Sequence, residues 1–340
     1  MRAKKIRFEE KKLEKYPSIS VVIPAYNDAK TLELTLQSIF NQEYEGDMEV
    51  ILVDDNSTDD TPNLAKKYNL KYIRHECNMG LAKSVNDGVK HASYNYICII
   101  HSDIVLPDKK WFSKMIPYLV LDDTVAAVTA PSIVPKEVWN RWGFWEKALH
   151  SWEILWSEKV KNYEYGGEID YTPIKNDIFK KEVFLEVGGL DGVTYRVACE
   201  DVDICKKLQK KGYKILSLPL PTYHMHSSHA TGLSTILFRK NPQLSEGQGV
   251  LFRKYRFRAW DINNQIFKTA AIITLFSPFN PIRILGVLYI ATIIFGNAVR
   301  AFKVQKDLKV LFLVPPVKLL DYFLDVIYFW KGFITGRQRK

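Results

Sequence analysis

The chain has 340 residues, of which 47% are hydrophobic and 25% are charged. This composition excludes a disordered protein, and the length is sufficient for one large α/β domain with an appended segment. The formal net charge of +10 is uneven, because residues 236–340 hold 17 Lys and Arg against 5 Asp and Glu. This basic third predicts either a nucleic acid or an anionic membrane surface as partner.

The cysteines and the N-terminal segment indicate an intracellular protein. The four cysteines show neither a CxxC pair nor zinc-ligand spacing, so we interpret them as reduced thiols of a cytosolic protein. Residues 1–17 are rich in charge and lack an apolar core, so no signal peptide is expected there. We interpret this segment as a basic N-terminal extension.

Residues 18–103 alternate between buried strands and amphipathic helices. The patterns predict strands at 18–27, 48–55, 70–76 and 96–103, with helices at 29–42, from about 61, and at 78–92. Such alternation predicts a right-handed, doubly wound and mostly parallel sheet, in which ligands bind at the carboxyl ends of the strands. The polar groups PAYN, DDNS and HSD all follow strands, so we expect them at one edge of the sheet.

Residues 139–156 contain five of the eight tryptophans. The spacing predicts a helix with Trp145, Leu149, Trp152 and Trp156 on one face. Packing of that face on the sheet would explain the pattern. Contact with an acceptor sugar or with a membrane interface would explain it equally well.

Two acidic groups are candidates for chemistry. Asp103 ends a strand, where it could either cap a turn or hold a hard divalent cation against a diphosphate. Glu200 and Asp201 begin a predicted helix, whose dipole alone would favour carboxylates. One of the two could instead act as a general base towards an attacking hydroxyl.

Three histidines follow the second acidic group. His224, His226 and His229 lie within six residues of one another. A single histidine is commonly structural, but three so close together could supply a metal ligand or bind phosphate oxygens.

Apolar stretches accompany the basic charge in the C-terminal third. Residues 284–299 are uncharged, but these 16 residues are fewer than the roughly 20 that a spanning helix needs. Residues 310–340 are amphipathic and end in a basic tail. The combination favours helices lying in a membrane interface, with at most one spanning or re-entrant segment, and argues against nucleic acid. A buried core helix and a dimer interface are the alternatives.

The sequence resembles the glycosyltransferase family 2 proteins of the GT-A fold in five segments: SVVIPAYNDAKTLELTLQSI, EVILVDDNSTDDT, NMGLAKSVNDGV, HSDIVLPD and VGGLDGVTYRVACEDVDICKKLQKKGY. The resemblance implies an α/β, Rossmann-like GT-A domain over residues 18–235 and a membrane-associated helical region over 236–340. Members of this family move a sugar from a nucleotide-diphosphate donor to a hydroxyl acceptor, with inversion at the anomeric carbon.

The resemblance also implies roles for individual residues. It places five of them in the nucleotide-sugar pocket, namely Pro24, Tyr26, Asn78, Gly80 and Ser102. Asp55 matches the acid that contacts the base. Asp103 matches the last acid of the DxD motif, which holds Mg²⁺ or Mn²⁺ on the diphosphate. Asp201 matches the catalytic base, with Glu200 beside it.

The histidines include one departure from the family pattern. His224 matches a position where many members place a histidine near the diphosphate and metal, and His226 is the alternative. His101 replaces the first acid of the DxD motif. It could ligate the metal, contact the ribose or weaken metal binding.

The resemblance therefore implies an inverting, metal-dependent transferase of hexosyl or deoxyhexosyl groups on the cytoplasmic face of the membrane. Its acceptor would be a hydroxyl of a lipid-linked or cell-surface glycan, because the C-terminal third resembles rhamnosyltransferase-like members that extend lipid-linked glycans. One alternative is a polyprenyl-phosphate glycosyl synthase, against which Glu200 and Asp201 argue, since a phosphate acceptor needs little base catalysis. The other is a non-catalytic sugar-nucleotide-binding protein with a degenerate DxD site.

Overall fold

A computed structural model describes residues 5–160, 165–195, 198–226, 232–255 and 260–338. The chain forms two compact units. The sheet unit comprises Met1–Val138, Ser157–Gly192 and Glu200–Ser227, and the helical unit comprises Trp139–Trp156, Val193–Cys199 and Ser228–Lys340.

The strands of the sheet unit form one large and one small sheet. They are β1 Lys5–Arg7, β2 Ile19–Ala25, β3 Met48–Asp54, β4 Lys71–Arg74, β5 Tyr96–Ile100, β6 Ile104–Val105, β7 Val125–Thr129, β8 Ser132–Ile133, β9 Tyr165–Ile169, β10 Asn176–Lys180, β11 Lys214–Ser217 and β12 Thr222–His224. Over the described residues, the large sheet has the order β1-β9-β11-β7-β10-β5-β2-β3-β4, and the small one has the order β6-β12-β8.

Four parallel strands, in the order β5-β2-β3-β4, form the part of the large sheet that the alternating pattern predicts. The chain leaves β2 towards β3 and β4 on one side and returns to β5 on the other. This change of direction is a topological switch point, where open α/β sheets bind ligands. β10 is antiparallel to both β5 and β7, so the sheet is mixed although rich in parallel pairs.

Helices of the sheet unit pack on both faces of this sheet. The helices of both units up to residue 210 are α1 Ala29–Phe40, α2 Thr61–Lys67, α3 Leu81–His91, α4 Trp111–Met115, α5 Pro117–Val120, α6 Lys136–Asn140, α7 Phe144–Leu149, α8 Ser151–Val160, α9 Lys181–Glu186 and α10 Glu200–Lys210. Val21 and Ile23 of β2 enter one hydrophobic core and Val22 enters the other, because neighbouring side chains in a strand point to opposite faces. Burial on both faces explains why the strand is almost wholly apolar.

The tryptophan-rich segment is not one helix, so that prediction is wrong. The chain breaks into α6, α7 and α8. Gly143 begins α7, where its amide donates to the Glu146 carboxylate at 2.6 Å, and this cap starts a new helix. Trp152 is 61% exposed and its ring stacks on Trp156, with ring centroids 6.1 Å apart. Trp145 instead packs edge-on against Phe144 in the helical unit.

The C-terminal part of the helical unit consists of long helices. They are α11 Leu233–Thr235, a π-helix Ile236–Lys240, α12 Asn241–Tyr255, α13 Trp260–Thr274, α14 Asn280–Gln305 and α15 Lys309–Thr335. Over the described residues, α14 alone is long and apolar enough to cross a membrane, judged by length and composition. The uncharged stretch predicted a segment too short to span, but the helix continues through Arg283 and Arg300 to a length of 26 residues.

Gly88 allows α3 to lie directly on the sheet. A β-carbon at this position would be only 2.3 Å from Cγ1 of Val22, which is fully buried in β2. We expect Gly88→Ala to lower the free energy of unfolding by about 1–3 kcal/mol, because overpacking a dense core forces neighbours to shift. Equilibrium denaturation in urea measures this change.

Lys90→Ala is the matched control, since Lys90 is exposed on the same helix and its loss should change stability by less than about 0.5 kcal/mol. Adding Val22→Ala to Gly88→Ala should recover part of the loss by making room. Equal stability of Gly88→Ala and wild type would contradict the close packing.

Candidate active site

Polar residues gather at the carboxyl ends of the parallel strands. Tyr26 follows β2, Asp55 follows β3, and Ser102 comes two residues after β5. Tyr26 is 47% exposed, as a side chain that meets a ligand can be. Ser102 is buried, and its hydroxyl donates to the Asp28 carboxylate at 2.8 Å, which ties the ends of β2 and β5 together. Pro24 lies one position before the end of β2.

Asp54 fixes the loop after β3. Its buried carboxylate accepts hydrogen bonds from the Tyr72 hydroxyl at 2.6 Å, the Arg74 guanidinium at 2.9 Å and the Ser57 amide at 2.8 Å. Arg74 also donates to the Ser57 carbonyl at 2.8 Å. These hydrogen bonds engage the Asp54 carboxylate in holding the loop. The next acid, Asp55, lies at the entry to α3.

Asp55 organises the entry to α3. Its carboxylate accepts hydrogen bonds from the amides of Met79 and Gly80 at 2.7 and 2.8 Å, and its Oδ1 lies 2.8 Å from Nδ1 of His75. Gly80 has φ +90°, which residues with a β-carbon rarely adopt. Asn78 is exposed beside it. The structure therefore brings Asp55 and Gly80 together, whereas contact of Asp55 with a base stays a prediction.

The candidate cation site joins the two sheets. β12 is antiparallel to β6, with His224 opposite Ile104, and this register places His224 against the preceding turn. Nε2 of His224 lies 3.2 Å from Oδ2 of Asp103. His226 has φ +51°, and its ring centroid is 3.8 Å from that of His224. The ligating atoms of the two histidines lie within 4.8 Å of each other.

The charges around this cluster suit a cation. Burial alone would raise the pKa of Asp103, but the charge and hydrogen bond of His224 hold it well below its ordinary range. Burial lowers the pKa of His101 to about 4, so its ring is neutral near pH 7 and a nitrogen lone pair is available. A carboxylate oxygen with imidazole nitrogens, which bind a metal in their unprotonated form, is a donor set that fits a divalent cation. His229 lies outside the described residues.

The second acidic group forms a closely coupled pair at the start of α10. The Tyr171 hydroxyl donates to Oδ2 of Asp201 at 2.8 Å, and the Val202 amide donates to Oδ1 at 2.8 Å. Burial and the neighbouring carboxylate of Asp201 raise the pKa of Glu200 to about 8, and burial raises that of Asp201 as well. Oε2 of Glu200 has no hydrogen-bond partner among the described residues. The pair therefore retains a proton near neutral pH.

Lys175 and Tyr171 are site residues that the sequence analysis missed. The positive charge of Lys175 lowers the pKa of both Asp103 and Asp201, so it lies within electrostatic reach of the cation cluster and the acidic pair. The antiparallel register of β10 causes this placement, since the His101 amide donates to the Lys175 carbonyl at 2.9 Å. The segment YTPIKND carries no recognisable motif, and only the strand pairing reveals it.

The comparison with protein families matches residues 20–188 to the model described as Glycosyl transferase family 2. Glu200, Asp201 and His224 lie beyond the matched segment. Among curated proteins, chondroitin synthase of Escherichia coli is 33% identical over 132 residues, which are 35% of this chain and 19% of that protein. Poly-beta-1,6-N-acetyl-D-glucosamine synthase of Staphylococcus aureus (strain COL) is 27% identical over 227 residues, 61% of this chain and 50% of that protein. The chain thus spans half or less of these relatives.

Two solved structures share the fold. The mannosyltransferase PcManGT of Pyrobaculum calidifontis, in complex with GDP-Man and Mn²⁺, has a TM-score of 0.56 at 16% identity and aligns over 91% of this chain and 86% of its own. GalNAc-T7 with UDP, GalNAc and Mn²⁺ has a TM-score of 0.51 at 16% identity, over 69% and 47%. These likenesses and the parallel-rich sheet confirm the predicted GT-A fold class.

The raised pKa of Glu200 predicts a pH-dependent stability. The native state holds a proton on Glu200 that the unfolded chain releases near pH 4.5. The contribution of this group to stability is therefore complete below that pH and is lost as the pH rises towards about 8. We expect the free energy of unfolding to fall by a few kcal/mol, on the order of 2–4, over this window. Glu200→Gln should flatten the profile, which denaturation at several pH values measures.

Glu182→Gln, at an exposed carboxyl of the same unit, is the control and should keep the wild-type slope. A Glu200→Gln profile as steep as that of wild type would show that the pair carries no retained proton.

Proposed function

Because the chain is a member of glycosyltransferase family 2 over residues 20–188, we propose that it is an inverting, metal-dependent transferase acting on a nucleotide-diphosphate sugar. The acceptor in this proposal is a hydroxyl of a lipid-linked or cell-surface glycan. The observation that carries the proposal is that one short segment of the chain contacts both acidic groups. The Tyr171 hydroxyl donates to Asp201, and the Lys175 carbonyl accepts from the amide of His101, two residues before Asp103.

The donor end of the proposed reaction uses Asp103, His224 and His101 or His226. These side chains would hold a divalent cation, and oxygen with nitrogen donors favours Mn²⁺ over Mg²⁺, which demands oxygen ligands. The cation would neutralise charge on the departing diphosphate. The two structural neighbours were solved with Mn²⁺, GDP-Man in one case and UDP with GalNAc in the other, which supports this choice.

The acceptor end uses Asp201 as general base. Its carboxylate takes the proton of the acceptor hydroxyl while the oxygen attacks the anomeric carbon from the face opposite the diphosphate, which inverts the configuration. Tyr171 holds Oδ2 of this carboxylate in place. Burial raises the pKa of Asp201, which makes it a stronger base once it is ionised, and Glu200 holds the proton that the pair retains.

The helical unit supports a place for this reaction on the cytoplasmic face of a membrane. Several large apolar side chains of its long helices are exposed, with Phe276 at 83%, Phe312 at 77% and Phe279 at 66%. Exposed aromatic side chains beside basic charge are typical of surfaces that enter an anionic membrane interface. The curated relatives are named as synthases of long polysaccharides, which fits a glycan acceptor.

Donor turnover tests the proposed chemistry. With purified protein and Mn²⁺, we expect slow hydrolysis of one member of a panel of UDP-, GDP- and dTDP-sugars. Asp103→Ala should abolish metal-dependent donor binding in calorimetry, because the remaining donors are neutral. Asp201→Asn should keep donor binding but lower turnover by about 10²–10⁴-fold, since only proton transfer is lost.

Asp108→Asn is the control for both variants. Asp108 comes shortly after Asp103 in the chain, but its carboxylate pairs with Lys114 and takes no part in the proposed site. It should retain donor binding and turnover. If a donor is bound but not hydrolysed with metal present, the non-catalytic alternative takes the place of the transferase, and if no donor is bound, both are contradicted.

Vesicle binding tests the membrane proposal. We expect the protein to sediment with vesicles containing anionic phospholipid and to do so more weakly with neutral vesicles or at high salt. Phe276→Ser with Phe312→Ser should weaken partitioning by at least about tenfold, because each phenylalanine contributes roughly 1.5–3 kcal/mol when it leaves water.

Leu121→Ser, at a 57% exposed leucine of the sheet unit, is the matched control and should leave partitioning unchanged. Equal binding by wild type and the double phenylalanine variant would place the membrane contact elsewhere or exclude it.

A further inference from the structure

The helical unit contains a polar pocket between α12, α13 and α15. Its volume is about 190 Å³, many times the roughly 10–15 Å³ that one water needs and below the roughly 300 Å³ at which sites for drug-sized ligands begin. Seven of its eight lining residues are polar, namely Asn241, Ser245, Gln248, Asn264, Gln265, Lys268 and Asp325. A pocket of this size suits one small ring.

Amide side chains supply half of the residues that line this pocket, and that of Gln265 is buried. Gln265 is 4% exposed, and its Nε2 donates to Oε1 of Gln248 at 3.1 Å. Oε1 of Gln265 is buried and accepts no hydrogen bond from the part of the chain that the structure describes. Leaving a buried carbonyl oxygen without a hydrogen bond costs about 1–3 kcal/mol. A ligand that donates a hydrogen bond to this oxygen would remove that penalty and bind more tightly as a result.

The ionised groups of the pocket balance each other. Nζ of Lys268 lies 2.8 Å from Oδ2 of Asp325, and the Ser245 hydroxyl donates to Oδ1 of Asp325 at 2.8 Å. Nearby, Asp321 is paired in the same way with Lys318 at 2.8 Å. The pocket therefore carries no excess charge with which to hold a phosphate or a metal cation.

A buried network of amides and an ion pair contributes little to the free energy of folding by itself. Apolar residues of similar volume are often as good as a buried ion pair for stability, or better. The surrounding helices bury apolar side chains, among them Ala271, Ile290 and Val326, so an apolar filling was accessible to this fold. The polar pocket therefore calls for a role in recognition.

We propose that this pocket binds an uncharged polyhydroxyl ring, a pyranose sugar unit, at a site separate from the donor site. A sugar hydroxyl both donates and accepts hydrogen bonds. Primary amides and a carboxylate together offer the acceptors and donors that it needs. Oε1 of Gln265 and the Asp325 carboxylate accept from ring hydroxyls, while amide nitrogens and Lys268 donate to them. The inference goes beyond the proposed transfer reaction, because it requires binding and no chemistry.

Ligand-observed NMR with methyl pyranosides of glucose, galactose and mannose tests the proposal. The full-length protein carries Asp103→Ala, which removes the proposed cation site, and is kept in a zwitterionic detergent, because sugar-based detergents would compete. We expect at least one pyranoside to bind with a dissociation constant on the order of 1 mM. Gln265→Leu should weaken that binding at least tenfold, and Gln248→Met provides a second, independent variant should the first not fold.

Asn297→Leu is the matched control, because it removes an amide from α14 that bonds the Ile293 carbonyl away from the pocket. It should bind pyranoside like the parent protein. Absence of pyranoside binding up to about 50 mM, or binding of inorganic phosphate in its place, would overturn the proposal. So would unchanged affinity in both glutamine variants.

The outcome is separable from that of the proposed function. Asp201→Asn should lose donor turnover and keep pyranoside binding, whereas Gln265→Leu in the otherwise native chain should lose pyranoside binding and keep donor hydrolysis. If the Asp103→Ala parent binds no pyranoside and the glutamine variants lose thermal stability, the polar network of the pocket is purely structural. That outcome contradicts the proposed sugar site.

Discussion

The parallel pairing of β2 with β5 is the constraint on which the sheet unit depends. It places the last strand of the alternating segment beside the first, so the loops after β2 and β5 open into one crevice. The hydrogen bond from Ser102 to Asp28 closes this crevice at its base. Apolar side chains on both faces of β2 make the pairing stable, and the polar residues occur where the buried strands end.

The electrostatic environments of the two candidate carboxylates, Asp103 and Asp201, differ. Asp103 has an imidazole as its immediate neighbour, which keeps it ionised and suited to a cation. Asp201 has a second carboxylate as neighbour, which with burial keeps a proton on the pair and suits proton transfer. The same residue type thus suits the two proposed roles because the environments move the pKa values in opposite directions. Lys175, which directly precedes the antiparallel strand β10, contributes a positive charge that favours the ionised form of both.

The helical unit follows a different physical rule. Many of its exposed side chains are large and apolar, while three of its helices enclose amides and an ion pair. A membrane interface would cover the first set, and a hydrated or sugar-filled pocket would satisfy the second. The two features are independent. The apolar surface is proposed to bind a membrane, whereas the pocket is proposed to bind a sugar.

The sequence by itself determined the parallel strands, the helices between them and the set of polar residues that follow the strands, because buried strands and amphipathic helices have distinct periods. It also named Asp103 and Asp201 as candidates through local motifs. Only the tertiary structure decided that Lys175 and Tyr171 join the site, since an antiparallel strand inserted far along the chain leaves no local pattern. The pocket around Gln265 likewise depends on contacts between residues distant in sequence, whereas the cap at Gly143 that breaks up the tryptophan-rich segment is local.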